Sequence, residues 1–130
     1  KYFEEYALPC LNRIVDAVKN SGAGTIVHIC GQMKAVYEQI NMVRSDALSF
    51  DSIVSLQEAR MNLSGRVLMG NVSTYALEFG EPDKIAKLSE TSVRNGADIL
   101  APACGLGMKT PLRNEQAMLH WLKEAYHADH

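Results

Sequence analysis

Two stretches decide how this chain folds: Thr25-Ile26-Val27-His28-Ile29-Cys30-Gly31 and Ile99-Leu100-Ala101-Pro102-Ala103-Cys104-Gly105-Leu106-Gly107. Each is an apolar run of strand length that ends in a soft metal donor followed by glycine. His28 and Cys30 lie two apart, so a strand points both side chains to one face. If both runs belong to one parallel sheet, Cys104 completes a three-donor set with them. Two thiolates and one imidazole suit zinc and leave a fourth position open, as catalytic sites do.

Outward from these runs, the pattern alternates helix and strand. Tyr2 to Lys19 carries Leu8, Leu11, Val15 and Val18 at helical spacing, and Asn20-Ser21-Gly22 ends it. Thr25 to Cys30 reads as the first strand. A helix from Gln32 to Met42 follows, with Val36, Ile40 and Val43 as its apolar stripe. Ala47 to Phe50 is a second strand ending at Asp51, and a helix from Ser52 to Asn62 closes at Ser64-Gly65. Arg66 to Gly70 is a third strand ending at Asn71. A short helix is expected at Thr74 to Phe79. Pro82 opens a longer helix at its first position, running to Asn95-Gly96. The fourth strand is Ala97 to Pro102, and Thr110-Pro111 starts the last helix, to about His127.

The expected fold is α/β: one domain over 1–130, with four strand–helix units preceded by one helix. Such repetition implies a parallel sheet with right-handed crossovers. Short, continuously apolar strands are those of a sheet covered on both faces. Four units make either a small open sheet or half of an eight-stranded barrel. Both bind ligands at the carboxyl ends of the strands. His28, Cys30, Asp51, Asn71 and Cys104 all fall at such ends.

Composition narrows the function. At 47% hydrophobic and 22% charged, the chain is ordinary globular protein with enough length for a core. A net charge of -2 and the lack of any basic run argue against nucleic-acid binding. No stretch approaches the roughly 18 apolar residues of a membrane span. No secretory leader is read, and a start at Lys1 suggests a fragment of a longer protein or a processed product. Three cysteines, an odd number, read as metal ligands or thiols of a reducing, cytoplasmic compartment rather than as a disulfide framework.

His28-Ile29-Cys30-Gly31, Gly70-Asn71-Val72 and Cys104-Gly105-Leu106-Gly107 together resemble the uroporphyrinogen decarboxylase superfamily. Glu81-Pro82-Asp83-Lys84-Ile85 and Thr110-Pro111 with Asn114 extend the resemblance over nearly the whole chain. The His-x-Cys plus Cys set resembles the zinc-dependent methylcobamide:coenzyme M methyltransferase branch, since the decarboxylases proper use no metal. The resemblance implies the C-terminal half of a TIM barrel, strands five to eight. Roughly two hundred further residues would lie upstream, because a complete barrel runs to about 250 or more. It also implies zinc on His28, Cys30 and Cys104, a small thiol such as coenzyme M, and a methylated corrinoid carried by a partner protein. In that branch the zinc-held thiol ionises near neutral pH and attacks the corrinoid's methyl group. Alternatives are a decarboxylase-like enzyme of porphyrin biosynthesis and a non-catalytic zinc-binding domain with a closed site.

The remaining candidates carry more than one reading. Related cobalamin-independent methionine synthases take a zinc ligand from a place like that of Asp51; Asp51 otherwise orients His28 or caps the next helix. Asn71 is a substrate contact or a turn residue. Lys109 and Arg113 flank the Cys104 loop and read as solvated charge before anion ligands. Cys10, near the apolar stripe of the first helix, reads as a buried thiol. His120, His127 and His130 read as exposed. Met33, Met42, Met61, Met69, Met108 and Met118 read as core filler, and Trp121 as core. A half barrel bares two strand edges and an inner face, so a homo-oligomer is expected, and half the barrel loops give little activity alone.

Overall fold

The computed structural model of the chain describes residues 1–128. Four parallel strands, β1 (Ile26–Ile29), β2 (Ala47–Phe50), β3 (Val67–Val72) and β4 (Ile99–Pro102), form one sheet in the order β1-β2-β3-β4. Pairing in chain order is the order of a (β/α)8 barrel; a doubly wound sheet reverses at a switch point. Of the two architectures open to four units, the barrel arc is the one that forms.

Register decides what faces where. His28 pairs with Ser49, Ser49 with Met69, and Met69 with Ile99. Partners in a parallel ladder share a face, so these side chains line the inner, concave side together with Ile26 and Val67. Val27, Leu48, Phe50, Leu68 and Leu100 point the other way, into the helices. Leu48, Phe50 and Leu68 are fully buried there against Ile40, Leu56 and Leu63. Each such burial contributes about 1.5–3 kcal/mol. A second cluster of Val72, Leu77, Ile85 and Met118 packs the β4 side. Gly70 is required where β3 passes β2: its φ is +142°, and a Cβ there would stand 3.3 Å from the Phe50 carbonyl oxygen.

Only the outer face is fully covered. β2 is buried at all four positions, but Ile26 on β1 is 53% exposed and Ile99 on β4 is 39% exposed. Cover on both faces, expected from the apolar strands, therefore holds for β2 and fails on β3, where the inner-face Val67 is 39% exposed, and at the two edge strands. The inner face of an arc loses water only when the arc closes.

The helices are α1 (Leu8–Asn20), α2 (Tyr37–Asn41), α3 (Leu56–Asn62), α4 (Thr74–Phe79), α5 (Pro82–Arg94) and α6 (Leu112–Ala128). Several begin later than the periodicity predicts. Ser55 accepts a hydrogen bond from the Glu58 amide at 3.2 Å, a cap that starts α3 three residues beyond Ser52. A wider-wound turn over Phe3–Ala7 precedes α1, and a 3-10 turn over Lys34–Val36 precedes α2. Cys10 is exposed, not buried. The buried face of α1 carries Leu8, Asn12 and Val15; Asn12 enters it because its amide donates to the Met42 carbonyl and its oxygen accepts from the Arg44 amide. Met33 and Met118 are core residues, whereas Met42, Met61 and Met108 are exposed. Trp121 is half-buried, His120 and His127 are exposed, and His130 lies outside the described residues. Among the described residues no helix is long and apolar enough to cross a membrane.

Candidate metal centre

β1 and β4 are the two edges of the sheet, three strand spacings apart. In a flat sheet that separation is about 14 Å. Yet the Cys30 and Cys104 sulfurs, just past the carboxyl ends of these strands, stand 3.5 Å apart. Closing that gap takes the curl of the arc and an inward lean of both loops. Gly31, at φ +93°, turns the chain directly after Cys30.

The third donor comes from within β1. His28 projects from the inner face, with Nε2 3.1 Å from Cys30 Sγ. The ligand atoms of His28, Cys30 and Cys104 all lie within 4.8 Å of one another, and all three residues are exposed. No disulfide forms; both sulfurs are thiols. The Cys30 thiol is pushed above its ordinary value, first by its hydrogen bond with Cys104, then by loss of water, then by the negative charge that Cys104 and Asp51 would add. A cation beside Cys30 would offset these effects and favour its thiolate. The set fits zinc: one imidazole and two thiols converge, and the hollow leaves a side open for a further ligand. That hollow, of about 460 Å³, is lined by Ile26, Met69, Ala101, Pro102 and Leu106 beside His28 and Cys104.

The other candidates stand apart from this trio. Asp51 lies just beyond β2 and close enough to act on Cys30 through its charge, but its carboxylate is outside the 4.8 Å group. It accepts from the Ser52 hydroxyl and the Ile53 amide, both at 3.3 Å, as a turn residue does. Asn71 donates its amide to the carbonyls of Asp51 (3.0 Å) and Val54 (2.8 Å), leaving only Oδ1 for a substrate. Arg113 is 3.7 Å from Glu81, and Lys109 is exposed. One residue that the linear sequence did not single out belongs to the site: Ser49, whose Oγ is 2.9 Å from His28 Nδ1. Its signal is the cross-strand register, which pairs Ser49 with His28 on the inner face.

Comparison with known proteins shows the family. The chain is 32% identical over 124 residues to the methylcobamide:CoM methyltransferase MtbA of Methanosarcina acetivorans, covering 95% of this chain and 37% of that protein. It is 32% identical over 105 residues to the methylcobamide:CoM methyltransferase MtaA of Methanosarcina barkeri, covering 78% of this chain and 31% of that protein. The solved structure of a methyltransferase from Methanosarcina mazei, a TIM barrel, matches with a TM-score of 0.87 at 28% identity, over 95% of this chain and 37% of that one. The matched part is the C-terminal half of these relatives, so the chain spans little more than a third of their length. Residues 1–125 match the family described as Uroporphyrinogen decarboxylase (URO-D), and to that family this chain belongs.

Proposed function

We propose that the chain is the metal-bearing half of a corrinoid-dependent methyltransferase, and that His28, Cys30 and Cys104 hold one zinc ion. The convergence of their three donor atoms within 4.8 Å at the carboxyl ends of β1 and β4 carries this reading. Zinc in such a site, when bound, acts as a Lewis acid that lowers the pKa of a thiol placed on its open position. The hollow beside the donors is where a small thiol such as coenzyme M would sit. Ile26, Met69 and Leu106 present it with apolar surface, which keeps bulk water from the reacting sulfur. A methylated corrinoid on a partner protein would approach the same open side and give up its methyl group to the thiolate. The rest of a barrel would supply the remaining loops of such an active site. The thiols stay available in a reducing, cytoplasmic setting. Asp51 enters this reading as a nearby negative charge and Asn71 as a residue with one acceptor, Oδ1, left over from its bonds to Asp51 and Val54.

Zinc stoichiometry tests the reading. The chain should hold about one zinc ion through three soft ligands. Cys30→Ser and Cys104→Ser should lose most of it, and Cys10→Ser, exposed on α1, should keep it. Full retention by Cys104→Ser would sink the assignment.

A further inference from the structure

We propose that Ser49 is a positioning residue of the metal centre: its hydroxyl accepts the Nδ1–H of His28, so that the Nε2 lone pair faces the two sulfurs. The inference rests on the zinc reading above and adds to it a residue outside the ligand set.

The geometry leads to it in three steps. His28 Nδ1 and Ser49 Oγ are 2.9 Å apart, a full hydrogen bond. The opposite ring nitrogen, Nε2, is the one aimed at Cys30 and Cys104, so it is the metal-facing atom. A neutral imidazole carries one proton. If that proton sits on Nε2, the ring donates to Cys30 sulfur and its lone pair faces Ser49 from Nδ1; if it sits on Nδ1, Nε2 is free to ligate. A hydroxyl both donates and accepts, so Ser49 serves either tautomer: it donates to Nδ1 in the metal-free site and accepts from Nδ1–H once Nε2 is taken.

Placement makes the serine suited to the task. Ser49 is only 4% exposed and lies on β2, the strand buried along its whole length, whereas His28 lies on an edge strand. The ladder pairs the two residues directly, so the serine's position relative to the ring is set by backbone hydrogen bonds rather than by a loop. An edge histidine is thereby tied to the strand that is buried along its whole length. Asp51, the residue the sequence offered for this role, bonds its own turn instead.

The experiment measures zinc affinity by chelator competition for the wild-type chain and for Ser49→Ala, Ser49→Thr and Ser49→Val, with the visible spectrum of the cobalt-substituted forms read in parallel. Thr and Val have the same shape and differ by the hydroxyl, so any packing fault from the added methyl cancels between them. Thr should bind zinc close to wild type. Ala and Val should bind roughly 10- to 100-fold more weakly, the usual loss for a partner of a ligating histidine. Their cobalt ligand-field bands should shift as the imidazole loses its fixed orientation. Equal zinc affinity in Thr and Val overturns the role of Ser49 and leaves the zinc site standing. Undiminished zinc in Cys104→Ser overturns the site itself, and the role of Ser49 with it.

Discussion

Asp46 shows how much of this fold hangs on single polar atoms near the edge strand. One carboxylate oxygen is 3.0 Å from Lys19 Nζ, and the other accepts from the Thr25 amide at 2.7 Å and the Thr25 hydroxyl at 2.9 Å. The Lys19 hydrogen bond first, then the two from Thr25, hold its pKa down at about 2. The folded state thus favours the ionised form more than the unfolded chain does, so this contribution is present above pH ~4 and fades as pH falls toward 2. Asp46→Asn should lower the thermal midpoint at pH 7 by roughly one to four degrees, a small effect because the group is exposed. The difference from wild type should vanish near pH 2. A gap that is the same at pH 7 and pH 2 would refute this linkage. At this scale the convergence of His28 and Cys30 was legible in the sequence because a strand's period of two places both on one side without further information. Ser49 was not legible, because its tie to His28 exists only in the register between two strands. Cys10 was misread for a related reason: a helical stripe can be drawn through several phases. A buried Asn12, satisfied by Met42 and Arg44, selects the phase that leaves Cys10 outside.

Among elements, strands were easier to read than helix starts. The four apolar runs each contain a strand, because only a short continuous run suits a buried parallel sheet. Helix starts depend on which side chain captures the free amides, and at α3 that is Ser55 rather than Ser52. The join between α4 and α6 rests on Asn114, which is fully buried. Its amide donates to the carbonyls of Leu77 and Gly80, each at 2.8 Å, and so closes the open end of α4. The sequence placed Asn114 in a family motif without saying what it does; the structure gives it a mechanical task. Asn114→Ala would leave the buried Leu77 carbonyl and the part-buried Gly80 carbonyl unpaired and should cost about 1–3 kcal/mol in denaturant unfolding. Some of that loss is offset because Oδ1 of Asn114 is itself without a partner among the described residues. Asn114→Asp should be worse than Ala, since it aims a carboxylate at two carbonyl oxygens. A chain as stable with Ala as with Asn would remove Asn114 from this role.

For the whole molecule, strand order and open surface lead to one expectation. Curvature was the part the sequence did not carry: nothing in either cysteine stretch says that two edge strands bring their ends within 3.5 Å. It follows from eight-fold closure, of which this chain makes four strands. β1 and β4 each have one side without a strand partner, and between them the inner face presents Ile26, Val67 and Ile99, 39–53% exposed. Such edges and such a face favour association. A two-fold axis along the barrel axis preserves strand direction. It would set β4 of one copy beside β1 of its partner, and the reverse, both in parallel, as a closed barrel needs. We therefore expect this chain to self-associate, with a mass by light scattering at micromolar concentration about twice the 14.3 kDa of one copy. Ile26→Lys, which puts a charge on the inner face of an edge strand, should shift the population toward monomer while leaving the outer core and its helical content intact. Added zinc should not restore the dimer in that variant, because the candidate donors cluster within one copy, near the carboxyl ends of β1 and β4, and the contact lies between strands of two copies. A wild-type chain that runs as a clean monomer and unfolds in one cooperative step would refute the association argument. It would mean that the open face is stable in water as it stands.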